Sequence, residues 1–415
     1  MKKLLVALIL LLLVAITLIS VSCNNEFHIY ENYQTSLSRT MQIYNNKLYY
    51  FDGFTIYYKR LNDLSAEPMP LCSDTLCDHD TSGCPLFLGQ MQYAMAIDEN
   101  ETVANNNYPI VYISSNWAEY KPELGKWDGD GYRIIRYDSA KNTYQNVISQ
   151  ISNPLGNFCL YKNYIFYTVN DGDAGNNIYA VTKDGKNKYS LDNPECNVYT
   201  IIGVEDDMVY YMDMLENIYK SDIELKTRTL LLSQTNSGWG SAYVYGGYLY
   251  YADDVNVVYT AGTTEVYDCK IYRTSLEKTS VDSRELVIEN VLHYGLPYIF
   301  KVKNKIYFCK PNPEYIGLGF YYDIYTNEKK DTDVFSVGAE TVYSYNMDTG
   351  EICLEIENEG LNMGIFYGGT EDYIVYRLYE IQKDLEQPFT NFNNYLFIFD
   401  TVSKKQFKIE EEINY

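Results

Sequence analysis

From about residue 40 onward, apolar and aromatic runs recur along the chain, each set off by polar turn residues. The first recurring element places Asn, Gly, Asp or Lys before a short run of β-branched and aromatic residues. It reads Leu48-Tyr49-Tyr50, Val111-Tyr112, Ile165-Phe166-Tyr167, Val209-Tyr210-Tyr211, Leu249-Tyr250-Tyr251, Ile306-Tyr307-Phe308 and Ile374-Val375-Tyr376. Such runs behind turn residues predict strands. A second element follows each first one: Ile56-Tyr57-Tyr58, Ile134-Ile135-Arg136-Tyr137, Ile178-Tyr179, Ile218-Tyr219, Ile271-Tyr272, Val342-Tyr343 and Leu396-Phe397. Several of these run into a tight turn and a further strand, as in Met347-Asp348-Thr349-Gly350 before Ile352-Cys353-Leu354.

Each unit therefore supplies two strands, a turn and a third strand, and the gap before the next unit has room for a fourth. Gly295 to Val302 and Asn157 to Leu160 are candidates for that extra strand. Four antiparallel strands per repeat make a propeller blade. The markers Leu48, Val111, Ile165, Val209, Leu249, Ile306 and Ile374 are spaced 63, 54, 44, 40, 57 and 68 residues apart. Blades commonly take ~40–50 residues, so the longer spacings predict inserted loops at Ser114 to Gly131, Asp253 to Asp268 and Pro311 to Gly338. The expectation is an all-β, β-propeller fold of seven four-stranded blades, with six or eight as the alternatives. No sustained helical periodicity is present. A solenoid would need more uniform repeats, and a sandwich would not reuse the same two elements seven times.

The ends add a second layer. Met1-Lys2-Lys3 is basic, Leu4 to Ile19 is apolar apart from Thr17, and small residues lead to Cys23. That order is a secretory signal peptide, and the apolar run is short for a bilayer span of ~20 residues. Ile19-Ser20-Val21-Ser22-Cys23 resembles a bacterial lipobox, with Ser20 where leucine is usual. The resemblance implies cleavage before Cys23 and acylation of its thiol by chains such as palmitate. The expected organisation is a signal peptide over 1–22, a tether over 23–40 with a candidate closing strand, and a propeller over 41–415. Phe27 to Met41 could supply the last blade's outer strand or the first blade's inner one. The expected location is the extracellular face of the cell membrane, held by lipid, as a monomer.

Composition supports strands: 46 Tyr and 16 Phe stand against 3 His and 3 Trp. Tyrosine suits a half-buried pleated surface. The net charge of −23 disfavours nucleic acid as a partner. Removing Lys2 and Lys3 makes it two units more negative.

One stretch stands outside the repeat. Cys72, Cys77, His79 and Cys84 lie in the loop 71–85 with spacing C-x4-C-x-H-x4-C. Three readings stay open. A Cys₃His set can hold a structural zinc ion. Outside the cell the thiols could instead oxidise, with Cys77 and Cys84 as a disulfide. They could also stay free or do redox chemistry. Cys309 and Cys353, inside strand patterns, are expected as plain core residues, and Cys159, Cys196 and Cys269 are scattered.

The lipobox, the Tyr-rich Ile-Tyr repeats and the Leu71-Cys72 to Cys84-Pro85 loop together resemble Gram-positive lipoproteins with propeller domains of the DUF5050 type. The likeness covers roughly residues 40 to 410 and implies no particular activity. No nucleophile elbow, phosphate loop or His-Glu-x-x-His motif is present. Asp171 to Asn177 faintly resembles a calcium loop but lacks the bidentate Glu, so a hairpin turn is expected. His28 and His293 are isolated. The functional expectation is a non-catalytic binding or scaffold module for a glycan, peptide or envelope protein. The alternatives are an extracellular carbohydrate hydrolase or lyase using channel carboxylates, and a metal- or redox-linked sensor.

Overall fold

The computed structural model describes residues 41–409, apart from 53–54, 80–83, 85, 87–91, 106–107, 122–125, 152–154, 171–175, 192–196, 234, 236–241, 262–263, 295–299, 303, 312–318, 323–328, 333–339, 358–361, 370–371 and 381–392. Its strands form seven four-stranded antiparallel meanders in chain order. These are the blades of a β-propeller.

The first four blades belong to one compact unit, apart from Ile218, Leu231 and Leu232 of blade four. Blade one is β1 Met41–Tyr44, β2 Lys47–Asp52, β3 Thr55–Arg60 and β4 Met69–Pro70. Blade two is β5 Gln92–Ile97, β6 Ile110–Lys121, β7 Lys126–Asp138 and β8 Thr143–Ile151. Blade three is β9 Leu155–Tyr161, β10 Tyr164–Asn170, β11 Asn176–Thr182 and β12 Lys188–Ser190. Blade four is β13 Val198–Glu205, β14 Met208–Asp213, β15 Ile218–Asp222 and β16 Thr229–Leu232.

The last three blades make the second unit. Blade five is β17 Ala242–Tyr245, β18 Tyr248–Ala261, β19 Thr264–Ser275 and β20 Glu285–Tyr294. Blade six is β21 Phe300–Val302, β22 Lys305–Pro311, β25 Glu340–Asn346 and β26 Ile352–Glu357, with the hairpin β23 Gly319–Tyr322 and β24 Lys329–Thr332 inserted. Blade seven is β27 Asn362–Gly369, β28 Tyr373–Glu380, β29 Asn393–Asp400 and β30 Lys405–Ile409. Blades five and six join into one sheet where Leu292 in β20 pairs with Cys309 in β22.

The seven markers all lie in the second strand of their blade and are all buried. In blades two and three, neighbouring blades cover both faces of that strand, which is why its pattern is a continuous apolar run rather than an alternation. Blade three shows the division. Ile165 and Tyr167 pack with Ile110 and Tyr112 of blade two, while Phe166 between them packs with Val209 and Tyr211 of blade four.

The second and third strands also share an aromatic pair. Tyr167–Tyr179, Tyr211–Tyr219, Phe308–Tyr343 and Tyr376–Phe397 have ring centroids 5.5, 5.6, 5.8 and 5.8 Å apart. Such pairs add about 0.5–1.5 kcal/mol each beyond area burial.

Turns follow the sequence chemistry. Asn45-Asn46, Asp206-Asp207 and Gly246-Gly247 join first to second strands with positive φ at both residues, as a type I′ hairpin requires. At the end of the third strand an Asp or Asn side chain caps the next turn. The Asp138, Asp222, Asn346 and Asp400 side-chain oxygens accept from the backbone of Ala140, Glu224, Asp348 and Val402.

Gly247 has φ +77°, and an added Cβ there would meet nothing within 4 Å. Gly247→Ala should therefore cost only the left-handed backbone term, about 1–2 kcal/mol. A matched pair of urea titrations checks this, and Gly247→Asn should cost less than the alanine.

Several expectations need correction. Ser114 to Gly131 and Asp253 to Asp268 are not loops. They are long hairpins, β6 on β7 and β18 on β19, held by backbone pairing. Part of Pro311 to Gly338 is likewise the β23–β24 hairpin. A short helix, Glu99–Ala104, also forms, capped by Asp98, whose side chain accepts from Glu101 N. It had no periodic signal because it spans only a turn and a half.

Cys353 is half-buried rather than a core residue, since it lies in the fourth strand between exposed Ile352 and Leu354. Cys309 lies in β22, and its side chain is outside the described residues. Met41–Tyr44 is the first strand of blade one; residues 23–40 lie outside the described residues, as does the stretch around Cys23 and Ser20.

Candidate metal centre

The loop after β4 is anchored where Leu71 N donates to Ile56 O at 2.8 Å, continuing the pairing of blade one. This seats Leu71 and Cys72 in the core. Asp74 then reverses the chain: its side chain accepts from Leu76 N at 2.9 Å and its carbonyl from Cys77 N at 3.2 Å. Leu76 is left 95% exposed, and the turn brings Cys77 back toward Cys72. His79 has φ 62°. Cys84 is buried, and its sulfur accepts from Leu86 N at 3.4 Å.

The four side chains singled out by their spacing converge. One ligand atom from each of Cys72, Cys77, His79 and Cys84 lies within 4.8 Å of all the others. Cys84 Sγ stands 3.9 Å from His79 Nδ1. Cys72 and Cys84 are 3% and 4% exposed, and they join the hydrophobic cluster between blades one and two, with Tyr49, Phe51, Met95 and Tyr137. Gln42 Nε2 donates to Met95 O at 2.8 Å across the same seam. Burial pushes the Cys84 thiol well above its ordinary pKa, and the neighbouring Cys77 and Cys72 add to this. Tyr137 is raised by burial and by the same three sulfurs.

Sequence reasoning found the four side chains but missed Asp74. Its signal was local: an Asp two residues before the turn it caps. The segment 171–177 joins β10 to β11, whose Asn170 and Asn176 pair, so it is a hairpin connection; residues 171–175 lie outside the described residues. Cys159 and Cys269 are buried and are not among the converging four. Cys196 and His28 lie outside the described residues, and of His293 only the backbone, in β20, is described.

Several described carboxylates elsewhere have fixed partners. Hydrogen bonds from Tyr272 hold Asp254 below its usual range, with Lys270 and Arg284 helping. Asp207 is lowered chiefly by Lys162, and Asp400 by the Ser403 backbone. Asp253 is paired with Arg284. Among the described residues, every carboxyl with a clear shift is shifted down.

No protein-family model and no curated protein matches the chain. Among solved structures it is similar to the tricorn protease, with 11% identity and TM-score 0.44, covering 89% of this chain and 39% of that one. A puromycin-hydrolysing peptidase of Mycobacterium tuberculosis matches with 11% identity and TM-score 0.48, over 85% of this chain and 52% of that one. An uncharacterised protein of Listeria monocytogenes EGD-e matches with 12% identity and TM-score 0.46, over 89% and 94%. The chain thus spans about two fifths and one half of the two peptidases. No described helix is long and apolar enough to cross a membrane.

Proposed function

We propose that the protein is a lipid-anchored, cell-surface propeller acting as a non-catalytic binding or scaffold module. The observation that carries this is the β6–β7 hairpin. Blade two has four strands only as far as Ser115 and Tyr132. Beyond them, among the described residues, β6 and β7 pair only with each other, Trp117 with Gly131, Tyr120 with Trp127 and Lys121 with Lys126.

A two-stranded ribbon on its own is marginal in water, so one this long suits a surface that a partner covers. It carries two of the chain's three tryptophans, and Trp and Tyr are enriched in binding interfaces. The Cys23 lipobox supports the anchor.

The test compares the chain with a version in which 116–132 is replaced by an Asn-Gly turn, so that Ser115 and Arg133 keep their pairing. On a glycan array and a panel of purified envelope proteins, the trimmed form should lose at least about tenfold in affinity, the equivalent of roughly 1.4 kcal/mol. Its far-UV spectrum and thermal midpoint should stay unchanged. Turnover of a polysaccharide by the intact chain would overturn the reading. A Cys23→Ala form should be released to the medium and take up no labelled palmitate.

A further inference from the structure

We propose that Cys72, Cys77, His79 and Cys84 bind one zinc(II) ion, which staples blade one to blade two. Three sulfurs and one imidazole nitrogen converge in a single loop. Zinc accepts such N/S sets tetrahedrally, with Zn–S ~2.3 Å and Zn–N ~2.0 Å. Tetrahedral edges then come to about 3.5–3.8 Å between ligand atoms. The observed 3.9 Å between Cys84 Sγ and His79 Nδ1 is close to such an edge, and the whole set lies within 4.8 Å.

A disulfide explains less. It would draw two sulfurs to ~2.05 Å and leave a third sulfur and an imidazole gathered around it for no reason. Among the described residues no strand forms between β4 and β5, and the loop's backbone bonds are those of Leu71 to Ile56 and Cys77 to Asp74.

The setting is that of a structural ion rather than a catalytic one. Cys72 and Cys84 are buried among apolar side chains of both blades, and all four zinc positions are filled by protein. A catalytic zinc keeps one position open for water or substrate. On binding, three thiol protons leave to solvent and three thiolates offset the dication, leaving one net negative charge at the site.

The test uses the full mature chain, purified under reducing conditions. Metal analysis should find about one zinc per chain. Cobalt(II) substitution should give tetrahedral d–d bands with sulfur-to-cobalt charge transfer. His79→Ala and Cys84→Ser should lose the metal, His79→Cys should keep it, and Cys159→Ser should leave it untouched. Should Cys84→Ser fail to fold, chelator titration of the unmodified protein decides instead: zinc release should go with a lower thermal midpoint and faster amide exchange in β1–β8. Metal-free protein with a Cys77–Cys84 disulfide, or with three freely alkylated thiols at full stability, would overturn the proposal. The binding role of the β6–β7 hairpin is read separately, by trimming residues 116–132, so the two proposals fail independently.

Discussion

Phe166→Ala should be among the most damaging single changes, costing about 3–5 kcal/mol, the range for emptying a buried aromatic site. Phe166 is fully buried in β10. Its ring packs into the cluster between blades three and four, with Cys159, Ile178, Val209 and Tyr211, and stacks on Tyr164 at 6.0 Å. Close-packed β strands collapse poorly around a void, so little of the cavity should be recovered. Because the chain has two compact units, a single global midpoint would blur the effect. Amide exchange followed by mass spectrometry should show the loss in β9–β16, with β17–β30 protected as before. Phe407→Ala, at a 40% exposed position in the fourth strand of blade seven, should cost well under ~1 kcal/mol, as exposed sites usually do. Equal losses at the two sites would contradict the assignment of Phe166 to the core.

The second large effect is electrostatic. The Glu355 side chain is 0% exposed. Ser344 Oγ donates to it at 2.7 Å, Lys305 Nζ lies 3.4 Å away, and Lys404 pairs with it from the β29–β30 turn. The site therefore links blade six to blade seven. Burial alone would raise the Glu355 pKa, but the hydrogen bonds from Lys404 and Ser344 and the charges of Lys404 and Lys305 outweigh it, and the net direction is down.

Glu355→Ala should destabilise the second unit by about 2–3 kcal/mol, below the 3–5 kcal/mol of a fully buried broken pair because both lysines keep access to water. A carboxyl with a lowered folded pKa contributes stability that is complete above its unfolded pKa, about 4.3, and lost as pH falls through the folded value. The gap between wild type and Glu355→Gln should thus be full at pH 7 and shrink below about pH 4. Urea titrations at the two pH values measure it. A gap that widened in acid would show that the glutamate is not held as a carboxylate.

Much of the fold was legible because two strands per blade carry most of the burial. Leu48, Val111, Ile165, Val209, Leu249, Ile306 and Ile374 mark the second strands, and the Ile-Tyr elements fall in the third. The first and fourth strands were harder to see. β4, β12 and β16 are short and largely exposed, so no apolar pattern is imposed on them. The long hairpins were read as loops for a related reason. Backbone pairing holds Asn256 to Asp268 and Trp117 to Gly131, and backbone pairing leaves no trace in residue type. Of the candidate site, the four side chains were visible through rarity alone, since Cys and His seldom gather by chance. Their convergence was not visible, because it depends on the turn that Asp74 closes.

The strand order within each blade has a kinetic meaning. Every blade is built from strands consecutive in the chain, apart from the hairpin inserted in blade six, and the clusters between blades one to four join consecutive blades. Contacts so local in the chain form fast and do not wait for distant segments. A chain that emerges from its amino end can then complete one blade before the next is released, as domains do during synthesis. Blade one and the loop at 71–85 would come out first, so the segment that gathers three thiols would meet its surroundings, and any oxidant or metal in them, before most of the fold exists.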